Sequence, residues 1–396
     1  MNSQNSQNNQ TVIYTEEQQK QVTLITMKMA ALGYNARFQR LAVGPIITQY
    51  FFIPDPSAPL SKIMNKTEDI AASCRVEAVL ISREKGEINV SVPNVQRSII
   101  KFDECMYWLG NQLLSGIPLL MGQTPVGQNF SINLCDQPHM LIAGSTGGGK
   151  SVFLSQLITS MVVQKSPSEL KMLLVDTKQV DLTLFSGLPH VIEIVDKVID
   201  LHTHLDRIMD IIRQRTSVMK GIARNISEYN SLTGKQLPYY VIIIDELADV
   251  IGLDQELAKD EDAENKRTRI SQKLARIAQI SRASGIHIIT ATQRPSVKIL
   301  SGDIKANFPT RISFRLPTGV DSKVILDESG AECLLGKGDY LYRTSESSEV
   351  KRAHGSFVEL TDIANLINQH KQIREQFAYQ KEQRKKEIEN NANINR

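Results

Sequence analysis

Residues 144–151 read Gly-Ser-Thr-Gly-Gly-Gly-Lys-Ser, directly after the apolar run Met140 to Ala143 and at the head of a helix-forming stretch from Ser151 to Val163. A strand feeding a glycine-rich turn that feeds a helix restricts the fold more than any other feature of the chain. It fits the pattern GxxxxGK[ST], and each residue type has a mechanical reason to be there. Gly144, Gly147, Gly148 and Gly149 let the backbone wrap closely around phosphate oxygens, and the helix N-terminus favours their negative charge. Lys150 reaches the β- and γ-phosphates of ATP, and Ser151 offers a hydroxyl to Mg²⁺. Ser145, Thr146 and Val152 complete the predicted cofactor-binding segment. A merely flexible glycine loop has no need of Lys and Ser in that register.

From Pro118 onward, short apolar runs alternate with helical stretches, the signature of a parallel sheet wrapped by helices. The strands are expected at Met140 to Ala143, Met172 to Val175, Val241 to Ile244, Ile286 to Thr290 and Arg311 to Leu316. Helices are expected at Ser151 to Val163, Asp200 to Met219 and Arg267 to Ala283. The fold class is therefore α/β, with a parallel-rich sheet in a P-loop NTPase domain. Before it lies a small α+β unit: an amphipathic helix from Glu16 to Leu32, a strand around Ile46 to Ile53, a helix through Ser61 to Ser73, and a hairpin of Ala78 to Ile81 with Ile88 to Val92. The expected domains are a polar tail 1–15, the small domain 16–112, the ATPase domain 113–365 and a charged helical or disordered tail 366–396.

The second half of a phosphate-loop site is a carboxylate at the tip of a neighbouring strand, and VIIIDE at 241–246 supplies two. Asp245 is expected to hold Mg²⁺ through water and Glu246 to accept the proton of the attacking water. Standing alone, an acidic pair at a strand end is as often structural. A third strand end, ATQR at 291–294, brings Thr292 and Gln293 toward the terminal phosphate. The amide of Gln293 can donate to phosphate and accept from water, so it is the candidate sensor.

The bulk composition limits partners only weakly. Lys and Arg number 46 against 43 Asp and Glu, a net charge of +3 that permits a nucleic-acid partner without demanding one. The four cysteines form no pair or cluster of zinc-site spacing, which fits a reduced, cytoplasmic protein. No apolar run approaches the roughly 18–20 residues needed to span a bilayer, so no membrane insertion is expected.

The segments QPHMLIAGSTGGGKS, LLVDTKQVDLTLFSGLPHV, IIIDELADV, ASGIHIITATQRPSVKILSGDIKANFPTRISFRL, DSKVILDESGAECLLGKGDYLY and KRAHGSFV resemble, in order, the motor core of the FtsK/SpoIIIE family of DNA translocases. The resemblance covers 118–358, and PLSKI and VSVPN in the region 30–110 resemble the family's ring-scaffold domain. It implies a RecA-like domain in a homo-hexameric ring, ATP between neighbouring subunits, and double-stranded DNA threaded through the pore and held mainly by its phosphate backbone. It also implies a trans arginine, for which Arg311 matches, with Arg282 and Lys323 as lesser candidates. Lys298, Lys305 and Lys323 fall in plausible pore loops, with the acidic run Asp254 to Glu264 kept outside. The chain departs from the family's Asp-Pro-Lys triplet with Asp176, Thr177, Lys178 and Asp181. Neither membrane segments nor a terminal winged helix are expected, so DNA should be moved without sequence-directed orientation. The rival reading is a protein-export motor built on the same core, and a third is a nucleotide-dependent scaffold with weak turnover.

Overall fold

The computed structural model describes residues 14–56, 58–59, 61–112, 115–259 and 268–372. The chain divides into two units, at Arg97 and Ser98.

In the first unit, helix α1 (Glu16–Ala31) starts at Thr15, whose hydroxyl accepts from Gln18 N while Gln18 Oε1 accepts from Thr15 N. This reciprocal cap satisfies two N-terminal donors and fixes where the helix begins. Strands β1 (Ala36–Val43) and β2 (Ile47–Pro54), helices α2 (Ser61–Met64) and α3 (Thr67–Cys74), and strands β3 (Leu80–Glu84) and β4 (Glu87–Pro93) follow. The strands form an antiparallel sheet in the order β1-β2-β4-β3. Ile25 and Met29 of α1 and Ile70 of α3 pack with Phe52, Ile81 and Val90 in one buried core. The helix expected across Ser61 to Ser73 is interrupted, because Lys66 leaves helical geometry at φ −106°, ψ 26°.

The second unit begins with α4 (Phe102–Gly110), β5 (Pro118–Gln123), β6 (Asn129–Asn133) and β7 (His139–Ala143). Helix α5 (Lys150–Gln164), β8 (Leu170–Val175), β9 (Val191–Val195), α6 (Val198–Met219), α7 (Ile226–Thr233) and β10 (Tyr239–Ile244) come next. Then follow α8 (Leu247–Leu257), α9 (Ile270–Ile280), β11 (Ile286–Thr292), α10 (Gly302–Asn307), β12 (Thr310–Phe314), α11 (Gly319–Leu326), β13 (Asp339–Thr344) and β14 (Ser347–His354). A last helical segment spans 360–372. Helix α4 packs on β5, β6 and α5, so the division between units falls before it and not after it, as the sequence-based limit at 112 would have it.

One ten-stranded sheet runs β6-β5-β14-β13-β12-β7-β11-β10-β8-β9. From β12 to β9 the strands are parallel, and from β13 to β6 they pair antiparallel. Every residue of β7 and β11 is buried, as expected of central parallel strands covered on both faces. The five strands read from the sequence after Pro118 all lie in the parallel block. The expected helix from Arg267 to Ala283 is realised as α9, although Arg267 lies outside the described residues. Asp254 is buried, accepting from Ile270 N at 3.1 Å beside His202 Nε2 at 2.8 Å, while 260–264 lie outside the described residues.

At the start of β13 the buried carboxylate of Asp339 receives Arg352 Nε at 2.9 Å, Arg352 Nη2 at 2.6 Å and Leu335 N at 2.8 Å. Burial alone would push this carboxyl up; the Arg352 guanidinium and then His354 outweigh it and hold it below the ordinary carboxylate range. A carboxyl lowered in the folded state contributes stability above its unfolded pKa, and that contribution is lost as pH falls through the folded value. Asp339→Asn is therefore expected to lower stability by about 3 kcal/mol in urea unfolding at neutral pH, because it strands Arg352 in the interior. The difference between the two proteins should shrink below about pH 4, where an unfolded Asp titrates.

Candidate nucleotide site

The site grows from the strand order. Strand β11 lies between β7 and β10, with Ala143 opposite Thr292 and Thr290 opposite Ile244. One step past Ile244 are the two carboxylates, so the glycine loop, Thr292 and the acidic pair emerge side by side at one edge of the sheet.

The loop from Gly144 to Gly149 is built for close approach. Gly147 and Gly149 adopt φ of +80° and +112°, which side chains other than glycine rarely allow. A Cβ on Gly149 would come within 2.5 Å of Gly338 N, and one on Gly144 within 2.7 Å of Phe314 Cβ. The Ser145 hydroxyl donates to Arg315 O at 2.8 Å, which anchors the loop to the end of β12. Helix α5 follows without a side-chain cap, so its first N–H groups face the loop's concavity. Ser151 and Val152 form its first turn and are half-buried.

Lys150 is buried and donates to Asp245 O at 2.7 Å and Asp245 Oδ1 at 2.9 Å. Burial pushes the Asp245 carboxyl up against the pull of Lys150, and the nearby carboxylates Asp181 and Asp176 add to the rise. A crowded carboxylate of this kind is better satisfied by additional positive charge, which suits a divalent cation for which Asp245 and Ser151 would supply oxygen donors. Among the described residues no cluster of three or more His, Cys, Asp or Glu forms a ready-made metal cage. A site completed by phosphate oxygens and water suits Mg²⁺.

Glu246 caps α8 and is nearly buried. Its Oε1 accepts from Thr292 Oγ1 at 2.7 Å and from Ala248 N at 3.3 Å, and its Oε2 accepts from Gln293 N at 2.9 Å. The Gln293 side chain in turn accepts from Thr146 Oγ1 at 3.1 Å. Loop, Gln293 and carboxylate thus form one hydrogen-bonded chain.

Arg311 is not brought to this group. It sits in mid-strand opposite Leu141, and its guanidinium donates to Asp327, Lys305 O, Phe308 O and Ile325 O. Lys305 and Arg343 converge on the same Asp327. Burial would raise that carboxyl, but the Lys305 bond and the Arg311 charge hold it low. Arg282 lies in a cleft with His287 at the start of β11, the far end of that strand from the phosphate loop. Lys298 and Lys323 are exposed. In the segment that departs from the family pattern, Asp176 Oδ2 accepts from Val180 N and Leu182 N and folds its own loop, while Lys178 pairs with Asp249 at 2.9 Å.

Sequence reasoning missed the turn Gly336–Gly338, whose Gly338 N donates to Gly148 O at 3.0 Å and braces the phosphate loop. Two glycines around Lys337 were the available signal.

A phosphate loop on β7, a lysine–aspartate pair reaching to β10 and a polar strand end between them define a P-loop NTPase fold. Residues 114–297 match the model of the FtsK/SpoIIIE family and residues 2–94 that of the FtsK alpha domain. The chain belongs to the FtsK/SpoIIIE family. It is 36% identical over 376 residues to the DNA translocase FtsK of Borreliella burgdorferi, covering 91% of this chain and 46% of that one. It is 34% identical over 372 residues to the DNA translocase FtsK of Staphylococcus aureus, covering 89% and 45%. The chain thus spans about half the length of the curated relatives it matches. Among solved structures, the pCW3 conjugation coupling protein TcpA, in its monomer form with ATPγS, superposes with a TM-score of 0.61 at 22% identity, over 88% of this chain and 99% of that one. The cytoplasmic domain of the Thermomonospora curvata Type VII secretion ATPase EccC gives 0.57 at 18%, over 69% and 34%. At these identities the two structures speak to the fold alone. Among the described residues, no helix is long and apolar enough to cross a membrane.

Lys150→Ala is expected to lower ATP affinity at least tenfold in a fluorescent-nucleotide titration, since it removes the charge that meets the β- and γ-phosphates. Gly149→Ala should do the same by another route, because its Cβ cannot fit against Gly338. Wild-type affinity in both variants would dismiss the loop as the binding site.

Proposed function

We propose that this protein hydrolyses ATP to drive the translocation of double-stranded DNA. The observation that carries the reading is the alignment of Lys150, Asp245, Glu246 and Gln293 around one glycine loop, in a chain of the FtsK/SpoIIIE family. The backbone of Gly144–Gly149 and the start of α5 hold the phosphates, with Ser145, Thr146 and Val152 lining the same segment. Ser151 and Asp245 would hold Mg²⁺, which when bound would neutralise charge developing on the phosphate oxygens. Lys150 neutralises the β- and γ-phosphates, Glu246 takes the proton of the attacking water, and Gln293 reports on the terminal phosphate.

The work is assigned to a homo-hexameric ring around the duplex, with contacts mainly to phosphates, because a motor that steps along any sequence gains nothing from tight base contacts. We place that work in the cytoplasm, where ATP is supplied. The test is ATPase activity with linear duplex DNA, single strands, RNA or polypeptide added. A severalfold rise with duplex alone is expected; a rise with polypeptide alone would transfer the protein to the export class. Duplex binding should weaken with salt by a log-log slope of roughly 0.9 per phosphate contacted.

Glu246→Gln is expected to retain ATP binding and lose turnover by 100-fold or more, because the amide keeps the shape and loses the proton acceptor; a rapid-quench assay measures this. Arg311 can serve a neighbouring subunit only by leaving Asp327, so Arg311→Ala is expected to lower the melting temperature of the protein as well. Recovery of hydrolysis on mixing Arg311→Ala with Glu246→Gln protein would mark a site shared between subunits, and no recovery in mixed rings would leave Arg311 a structural residue.

A further inference from the structure

The two oxygens of the Glu246 carboxylate are treated differently by their surroundings. A carboxylate offers about four acceptor positions, two on each oxygen. On Oε1 both are taken, one by the Thr292 hydroxyl at 2.7 Å and one by Ala248 N at 3.3 Å. Among the described residues, Oε2 has a single donor, Gln293 N at 2.9 Å. The direction of the Thr292 bond follows from the carboxylate, which only accepts, so the hydroxyl gives its proton to Glu246. Arg294 N donates to Thr292 Oγ1 at 3.2 Å, which fixes the hydroxyl from its other side. Thr292 is fully buried, and nothing in solvent competes for that hydroxyl.

We propose that Thr292 is a positioning residue for hydrolysis: it saturates Glu246 Oε1 and turns the carboxylate so that Oε2 is the oxygen that takes the proton from water. The inference rests on the reading of Glu246 as the base. In the step, the water oxygen forms its bond to the terminal phosphorus while the bond from that phosphorus to the bridging oxygen breaks, and the electron pair leaves with the diphosphate. The released proton moves to Oε2, the oxygen with a free lone pair. The anchor matters because Glu246 is the N-cap of α8, where its two backbone-donated bonds, from Ala248 and Gln293, come from different elements. Without the hydroxyl, each oxygen keeps one backbone donor, so Oε1 also has an open acceptor position and no longer differs from Oε2. A side chain held within about 10–20° by surrounding bonds is what a proton transfer of this kind requires.

The test compares Thr292→Val, which keeps the branched shape and removes the hydroxyl, with Thr292→Ser, which keeps the hydroxyl. ATP hydrolysis is measured with and without linear duplex DNA, alongside the affinity for a non-hydrolysable ATP analogue. In Thr292→Val we expect kcat to fall at least tenfold in both conditions while analogue affinity changes less than twofold. Thr292→Ser should stay within threefold of the parent. Should the valine pack poorly, Thr292→Ala removes the same hydroxyl without adding a methyl and should give the same loss. A valine variant that hydrolyses at the parental rate or faster would overturn the proposal, as would a serine variant as slow as valine. Glu246→Gln in the same assay separates the two ideas. Normal turnover there removes the base itself, whereas a dead glutamine variant beside a fully active valine variant removes only the role of Thr292.

Discussion

Everything chemical in this chain depends on the parallel pairing of three strands in register. With Ala143 opposite Thr292 and Thr290 opposite Ile244, the backbone ladder delivers the glycine loop, the sensor segment and the acidic pair to one edge at hydrogen-bond spacing. Neighbouring strands lie about 4.8 Å apart, so a slip of one residue in either pairing would carry a functional side chain to the opposite face of the sheet. The near-continuous apolar sequences HMLIA, YYVIII and IHIITAT make such a slip expensive, since the residues of these strands are almost all buried. Core and site are set by the same hydrogen bonds.

That coupling explains what could be read in advance. The parallel strands declare themselves as apolar runs, and the glycine loop by a spacing that only phosphate binding demands. Strand β1 was not legible. It lies at a sheet edge, pairs only with β2, contains no fully buried residue, and its alternation is broken by a bulge between Phe38 and Arg40. Strands β13 and β14 were hidden similarly, because DYLYRT and SSEVKRAH carry charged and hydroxyl residues, and Asp339 meets Arg352 only once the two strands pair. The pairing of Asp339 with Arg352 and His354 supplies the polar contacts that make such sequences foldable there. The α2–α3 break, likewise, depends on one backbone conformation at Lys66, which apolar spacing does not encode.

Arg311 has partners within its own chain, whatever it does for a neighbour. An arginine in the right place in a motif is equally an anchor for its own chain, and a motif cannot distinguish the two. Here Asp327, at φ +67° beyond α11, gathers Lys305, Arg311 and Arg343 and so ties α10, β12, α11 and β13 together. The side chains of Arg311 and Arg343 project from directly opposed strand positions, where like charges would repel without the carboxylate between them.

The brace behind the phosphate loop leaves little slack. Gly338 N is bonded to Gly148 O, and the space between Gly149 and Gly338 would not admit even a methyl group. A loop supported in this way transmits displacement instead of absorbing it. Any sub-ångström movement of the loop must be shared by the root of β13, and Asp339, clamped by Arg352 and His354, is the next fixed point along the chain. The β13–β14 hairpin is thus a strut whose footing is the floor of the nucleotide pocket and whose far end is the tip at Ser345 and Glu346, where Gln137 is bonded to both residues.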